Sequence, residues 1–481
     1  MITSVRWVPR GHAASALNSR GTHPNAVEPR APAAPSFSGS SHSSNESEPE
    51  MASDEEPDVA EVMAANAAHL MHNRRRRPSQ PHPETDDDLL ADDPEADEQE
   101  QQDTALLDSD WLLLSAAQEE DEVSVLEVYV YEHEEPDHTG NLYVHHDYIL
   151  PAFPLCCAYS HYAGQCLAAV GTFLPTIDVW DLTVTDTLEP RLQLGAPASS
   201  ASVAANGSDA APTNTASNPQ RRRRRQQPNG HTPTAAAQPA SSDTSHALAV
   251  LALDFHAQQA EYLLSGSADA TVRCWDLSMG ECVATYRTLH TDKVQAVRWN
   301  PHHASAFASG GFDRHACVVD VRQADAEHRA QRWRTSDKYD VEAILWASEH
   351  ACLVSDEGGW VSAYDTRALG DHTPVWRLRP HPKRPVAMTL CPTVPGMLVT
   401  GSTDALLQVY DVQSSAATPP LVASTNAQAG PIFSLVACPD SALGLAVVCG
   451  GPDGVLTVVD LAENQEAVRR WFHGRKSVGM S

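Results

Sequence analysis

Residues 262–277 read YLLSGSADATVRCWDL. An apolar run, Tyr262–Leu264, gives way to Ser-Gly-Ser-Ala-Asp-Ala, and a second run rich in β-branched and aromatic side chains closes on Trp275-Asp276-Leu277. Small and turn-forming residues between two such runs predict strand, tight turn, strand. The unit recurs as AFASGGFDRHACVVDV (306–321), CLVSDEGGWVSAYDT (352–366), MLVTGSTDALLQVYDV (397–412) and AVVCGGPDGVLTVVDL (446–461). The closing acids Asp276, Asp320, Asp365, Asp411 and Asp460 lie 44, 45, 46 and 49 residues apart. A period of about 40–45 residues predicts the four-stranded blade of a propeller.

Working outward toward the N-terminus, IDVWDL ends at Asp181, 95 residues before Asp276. Removing the fifty residues 196–245 leaves 45, one more blade. SVLEVYVYE ends at Glu132, 49 residues earlier again. That blade reads as split. Ser4–Pro9 (SVRWVP) is similar to Val297–Pro301 (VRWNP) and to Leu390–Pro392, which begin other blades, and Trp111–Ala117 (WLLLSAA) supplies a second strand. The expected fold is therefore all-β: a propeller of seven four-stranded blades, closed so that few edges stay exposed.

The segments between are of another composition. Residues 11–103 are rich in Ala, Pro, Ser, Asp and Glu and poor in aromatic and β-branched side chains, so they bury too little to offset their ordering entropy. They are expected to be disordered, with Ala60–Met71 a transient helix at most. Residues 196–245 are a second such segment, around the run Arg221–Arg225. The expected organisation is a first strand in 1–10, an acidic insertion over 11–103, and the rest of the first blade with the second over 104–195. An arginine-rich loop follows over 196–245, then five blades over 246–465 and a tail over 466–481. The formal charge of −30 concentrates in residues 46–135, which hold 29 acidic and four basic side chains, a net of −25. Such a balance excludes a binder that is basic over its whole surface and leaves local phosphate contact open.

No apolar run approaches the ~20 residues of a membrane helix, and no secretory h-region follows Met1, so the chain is expected to be soluble and intracellular, away from membranes. Ten cysteines lack C-x-x-C spacing and sit singly in apolar contexts such as Cys317 and Cys449, the pattern of small core residues rather than of zinc ligands or disulfides. No H-E-x-x-H, G-x-x-x-x-G-K-[ST] or G-x-S-x-G occurs. The pairs His145-His146 and His302-His303 are neighbours in sequence, and neighbours on a regular strand face opposite sides. No enzyme and no cofactor is expected.

The repeat resembles the WD-repeat family. Trp180-Asp181 and Trp275-Asp276 are literal Trp-Asp pairs; Tyr364-Asp365, Tyr410-Asp411, Val319-Asp320, Val459-Asp460 and Tyr131-Glu132 substitute elsewhere. Asp269, Asp313, Asp404 and Asp453 stand seven positions before the closing acids. In this family such a turn aspartate bonds a histidine of the preceding loop, which bonds a strand hydroxyl. His290 and His381 match the histidine, and Ser265, Ser309 and Thr400 the hydroxyl. Gly358 and Leu174 hold the turn position in two blades, which are expected to rest on apolar packing alone.

Within the family, Leu142–Leu150 and Ile177–Leu194 resemble a nuclear member of the ribosome-biogenesis machinery. That resemblance implies a nucleolar scaffold for large-subunit pre-rRNA processing, with ribosome assembly factors and pre-60S particles as partners. The alternative it implies is a chromatin-associated propeller that binds histone tails and influences ribosomal DNA transcription; Trp360, Tyr364 and Tyr410 are the candidate lysine cage. The runs Arg74, Arg75, Arg76, Arg77 and Arg221, Arg222, Arg223, Arg224, Arg225 are candidates for nuclear import, the second also for pre-rRNA phosphates. A solvated run that merely extends a loop is the plainer reading. Ser43, Ser47, Ser53 and Thr85 each precede an acid by three positions, as an acid-directed kinase requires.

Overall fold

In the unit quoted above, Tyr262–Ser267 and Val272–Asp276 pair antiparallel, with Leu263 opposite Trp275 and Ser265 opposite Arg273. The turn between them holds Ala270 at φ 66°, the left-handed conformation a tight turn needs. Val250–Phe255 adds on the inner side and Glu281–Tyr286 on the outer side. Each strand thus lies beside the next in sequence.

The computed structural model describes residues 1–10, 111–119, 122–133, 140–185, 187–195, 244–323, 325–368, 373–443, 445–473 and 475. Seven antiparallel sheets make a seven-bladed β-propeller. Blade 1 is Ile2–Val8, Trp111–Gln118, Ser124–His133 and Gly140–Ile149; blade 2 is Pro154–Tyr162, Gln165–Thr172, Ile177–Asp181 and Leu192–Leu194. Blade 3 is the sheet just given. Blade 4 is Val294–Trp299, Ala306–Gly311, His315–Asp320 and Gln331–Arg334; blade 5 is Val341–Trp346, Ala351–Asp356, Val361–Asp365 and Trp376–Leu378. Blade 6 is Val386–Leu390, Met397–Ser402, Leu406–Asp411 and Leu421–Asn426; blade 7 is Ser434–Ala437, Ala446–Gly450 and Thr457–Asp460.

Blade 7 departs from the four-stranded expectation: it has three strands among the described residues. After Asp460, whose carboxylate accepts the Ala462 N–H, the chain turns into the short helices Leu461–Asn464 and Glu466–Trp471. The second helix packs on blade 6, where Trp471 Nε1 donates to Asp411 Oδ2 at 3.0 Å and Arg475 makes a two-pronged bond to the same carboxylate.

Second strands are buried along nearly their whole length, and completely in Ala306–Gly311 and Met397–Ser402, because each blade is covered on both faces by its neighbours. A glycine near the end of that strand sets the spacing. A Cβ at Gly266 would lie 2.8 Å from Cγ1 of Val294, at Gly310 2.5 Å from Cγ1 of Val341, and at Gly401 2.9 Å from Cγ2 of Ile432. In each case the partner opens the following blade. Gly450 repeats the contact on Ile2, at 2.8 Å, between the last blade and the first. Ile2 N–H also donates to the Gly451 carbonyl at 2.9 Å, and Val5 N–H to Ser434 Oγ at 3.0 Å. The ring closes through these contacts and the apolar cluster of Ile2, Val5, Trp7, Leu443 and Val448, with the N-terminal strand kept in its own sheet.

The propeller has two faces. One, the turn face, carries the turns between second and third strands and the connections between blades. The segment 196–243 leaves from this face, between Leu194 and Val250, whereas segment 9–110 leaves from the opposite face, between Val8 and Trp111.

Candidate functional site: the turn face

In blade 3 the turn aspartate, a histidine, a hydroxyl and the tryptophan form one buried relay. Trp275 Nε1–H donates to Ser265 Oγ at 2.8 Å, Ser265 Oγ–H to His246 Nε2 at 2.7 Å, and His246 Nδ1–H to Asp269 Oδ2 at 3.0 Å. Ala247 N–H, Thr271 N–H and Thr271 Oγ1–H also donate to Asp269. Burial holds His246 below the ordinary imidazole range, so the neutral ring that the relay needs is the favoured one. Burial alone would raise Asp269, but the bonds from His246, Thr271 and Ala247 outweigh it and hold the carboxyl well below its usual range.

His246 is a residue that the sequence reading did not single out. Its signal was present: it precedes Ser265 by 19 residues and Asp269 by 23, the intervals that separate His290 from Ser309 and Asp313 and His381 from Thr400 and Asp404. The low-complexity stretch ending at residue 245 masked it. In blade 4 His290 lies 2.8 Å from Ser309 Oγ and 3.2 Å from Asp313, which also accepts from Arg332 Nη2 at 2.9 Å. In blade 6 His381 lies 3.0 Å from both Thr400 Oγ1 and Asp404. Asp453 stands in the same turn of blade 7, but the side facing it is Gly430 and no histidine is there. Asp181 and Asp276 cap their own turns, accepting from Thr183 and Ser278, and Asp181 also pairs with Arg191 at 3.1 Å. Ser265, Ser309 and Thr400 are each 0% exposed, so no substrate reaches these hydroxyls.

Blade 5 has a different construction. By strand register Val354 takes the place of Ser265 and Ser309, and Gly358 takes that of the turn aspartate. The ring of Tyr339 lies over the turn; a Cβ at Gly358 would be 2.4 Å from it. Apolar packing is not the whole of this blade, contrary to expectation. Asp356 is buried and pairs with Arg377 Nη2 at 3.0 Å, while its Oδ1 accepts the Trp360 N–H. The guanidinium of Arg377 lies 4.5 Å above the Trp360 ring. Strand order hides this pairing in the sequence, because Asp356 and Arg377 sit on strands that are not neighbours. Trp360 is half-buried, but Tyr364 and Tyr410 are 2% and 5% exposed core residues. The three therefore do not assemble into a cage.

Around blade 5 the turn face gathers cations on aromatic rings. Lys293 lies 5.7 Å from the Phe312 ring, Lys338 5.1 Å and Arg384 5.6 Å from Tyr339, and Arg379 6.0 Å from Trp360. Backbone bonds join these loops into one surface. Thr335 N–H donates to the Arg314 carbonyl at 3.0 Å, Glu357 N–H to that of Asp340 at 2.9 Å, and Arg384 Nη1 to that of Glu357 at 3.4 Å. Three of the chain's four lysines, Lys293, Lys338 and Lys383, stand here, just ahead of blades 4, 5 and 6. Exposed acids on the same loops are Asp292, Asp337 and Glu357. The turn of blade 1 is acidic instead, with Glu119 and Glu122 exposed.

The adjacent histidines of blade 1 overturn the expectation of opposite faces. Val144 pairs with Tyr129 and His146 with Val128, so His145 is the extra residue of a bulge. The two rings turn toward each other, with Nδ1 atoms 2.8 Å apart. His146 Nε2 then meets Tyr148 OH at 3.1 Å, and that hydroxyl lies 2.9 Å from the Val184 carbonyl of blade 2. The pair ties two blades together. No group of three or more metal-ligating side chains occurs among the described residues.

The candidates Arg74–Arg77, Arg221–Arg225, Ser43, Ser47, Ser53 and Thr85, and the helix at Ala60–Met71, lie outside the described residues. Comparison with known proteins gives three relevant relatives. A protein of Schizosaccharomyces pombe, called an uncharacterized WD repeat-containing protein, is 32% identical over 427 residues, 87% of this chain and 74% of the relative. Periodic tryptophan protein 1 of Saccharomyces cerevisiae is 29% identical over 415 residues, 79% of this chain and 67% of the relative. The U3 small nucleolar RNA-associated protein 15 homolog of Xenopus laevis is 28% identical over 216 residues, 45% of this chain and 38% of the relative. The family profile described as WD domain, G-beta repeat matches residues 238–276 and 280–320. A propeller with three blades pinned by buried His–Asp–hydroxyl relays, and whose likeness to its relatives runs through most of its length, leaves one assignment: the chain belongs to the WD-repeat family and resembles periodic tryptophan protein 1.

Proposed function

We propose that the protein is a non-catalytic scaffold of ribosome biogenesis, acting in the nucleolus on large-subunit pre-rRNA processing and assembly. The likeness to periodic tryptophan protein 1 over 79% of this chain carries the reading, and the shorter likeness to a U3 small nucleolar RNA-associated protein agrees with it. The chemistry of the blades supports scaffolding. Imidazoles, carboxylates and hydroxyls are spent on one another in the interior, which rigidifies the blades and leaves their faces to bind. Partners of this reading are ribosome assembly factors within pre-60S particles, the acidic insertion engaging basic proteins and Arg221–Arg225 serving import and RNA contact.

Depletion of the protein followed by probing of ribosomal RNA precursors tests the proposal. Large-subunit precursors should accumulate. Normal precursors accompanied by altered chromatin marks would overturn it in favour of histone contact. A fluorescent fusion in which the five arginines 221–225 are alanine should lose nuclear enrichment.

A further inference from the structure

We infer that the turn face of blades 4 to 6 is a platform for single-stranded RNA. Trp360 and Tyr339 are its stacking sites, and Lys338, Arg379, Lys383 and Arg384 contact its phosphates. The inference rests on the ribosome-biogenesis reading only for the source of the RNA. The surface itself argues from its chemistry. Lys293, Arg314, Lys338, Arg379, Lys383 and Arg384 have no ion pair with a carboxylate among the described residues. Bound anions therefore need not displace an internal carboxylate.

The rings decide which polyanion fits. Tyr339 and Trp360 are half-buried in loops rather than packed in strands, and each already carries a cation on its face. A base can stack on such a ring while the neighbouring cations hold its phosphates. An acidic peptide would neutralise the cations but leave the rings unused, and a duplex offers phosphates without free base faces. Blade 5 is built for this exposure. Gly358 gives the Tyr339 ring room where other blades hold the buried aspartate, and Asp356 fixes the Arg377 guanidinium over Trp360. The arginine run 221–225 belongs to a segment that leaves from the same face, and the acidic segment 9–110 leaves from the other.

The test uses the purified full chain and fluorescence anisotropy with a labelled single-stranded RNA of mixed sequence, its duplex, and polyglutamate as competitor. Single-stranded RNA should bind tighter than the duplex, and polyglutamate should compete poorly. The variant Lys338→Glu, Lys383→Glu, Arg384→Glu should lose about 10-fold or more at low salt and flatten the logarithmic salt slope by about 2, three contacts at ~0.7 each. Trp360→Ala should lose about 5-fold or more with the slope unchanged. Unchanged melting temperatures show that both variants fold. Affinity retained in both variants but abolished on replacing Arg221–Arg225 by alanine would overturn the inference, as would preference for the duplex or equal competition by polyglutamate. These results leave the scaffold proposal standing, since that proposal fails only if depletion spares the precursors.

Discussion

At the scale of single residues, the interior polar groups work as relays in which each member satisfies the next. Asp313 takes bonds from His290, Thr291, His315 and Arg332. Asp313→Ala strands a buried imidazole at the site, and the loss should be about 2–3 kcal/mol, read as a shift of the urea midpoint. Trp275→Phe removes the Nε1–H that feeds Ser265 together with part of a fully buried ring and should cost about 2–3 kcal/mol. The relay also predicts a pH dependence. The folded pKa of His246 lies below its unfolded value of about 6.5, so the unfolded chain binds more protons in the window between the two. Stability should be whole above that window and fall as pH falls through it. Depressed Asp269 and Asp313 act in the same direction further down, from the usual carboxylate range. In His246→Gln the drop in melting temperature between about pH 7.5 and about pH 5.5 should shrink. An undiminished drop would mean that other groups set the slope.

At the scale of elements, the ring depends on how closely one blade approaches the next, and the closing interface should behave like the internal ones. Gly451 tests it. A Cβ there would lie 1.8 Å from the Pro431 carbonyl oxygen, a backbone atom that cannot rotate away. Gly451→Ala should therefore cost about 3 kcal/mol or more and raise amide exchange in Ile2–Val8, which hydrogen-bonds to Gly451. Gly266→Ala meets only valine methyls at 2.8 Å and 3.0 Å and should cost about 1 kcal/mol. Equal losses would show that backbone collision is not what separates the two sites. The blades themselves were legible in the sequence because strand, turn and strand are local and each closing acid marks a period. What stayed hidden depends on partners across the sheet. The bulge at His145 is set by pairing with Tyr129 and Val128. The Asp356–Arg377 pair joins strands that are not neighbours. His246 was legible only by spacing, at the edge of a segment of different composition. That blade 7 has three strands among the described residues follows from Asp460 starting a helix turn, where the repeat alone leads one to expect another strand.

At the scale of the whole molecule, half of the net charge of −30 lies in one segment that leaves from a single face. Residues 9–110 hold 22 acidic and seven basic side chains, a net of −15, and leave the propeller from the face opposite the turns. Lys293, Lys338 and Lys383, with Arg314, Arg379 and Arg384, belong to the turn face, and the segment that carries Arg221–Arg225 leaves from it. Opposite charges whose segments leave from opposite faces of a rigid ring can engage a basic protein and a polyanion at once, since the screening length is only about 10 Å at 0.1 M salt. Removing residues 15–103 should therefore separate the two activities. Affinity for a basic probe such as polylysine should fall, most at low salt, because the lost attraction is Coulombic and steers encounter. Affinity for single-stranded RNA should be retained or rise, because a repelling charge is gone while the turn face is intact. Titrations of both probes across a salt series measure the two responses. If the deletion leaves the salt dependence of polylysine binding unchanged, the insertion is not the acidic arm; if RNA affinity falls with it, the two faces do not act independently.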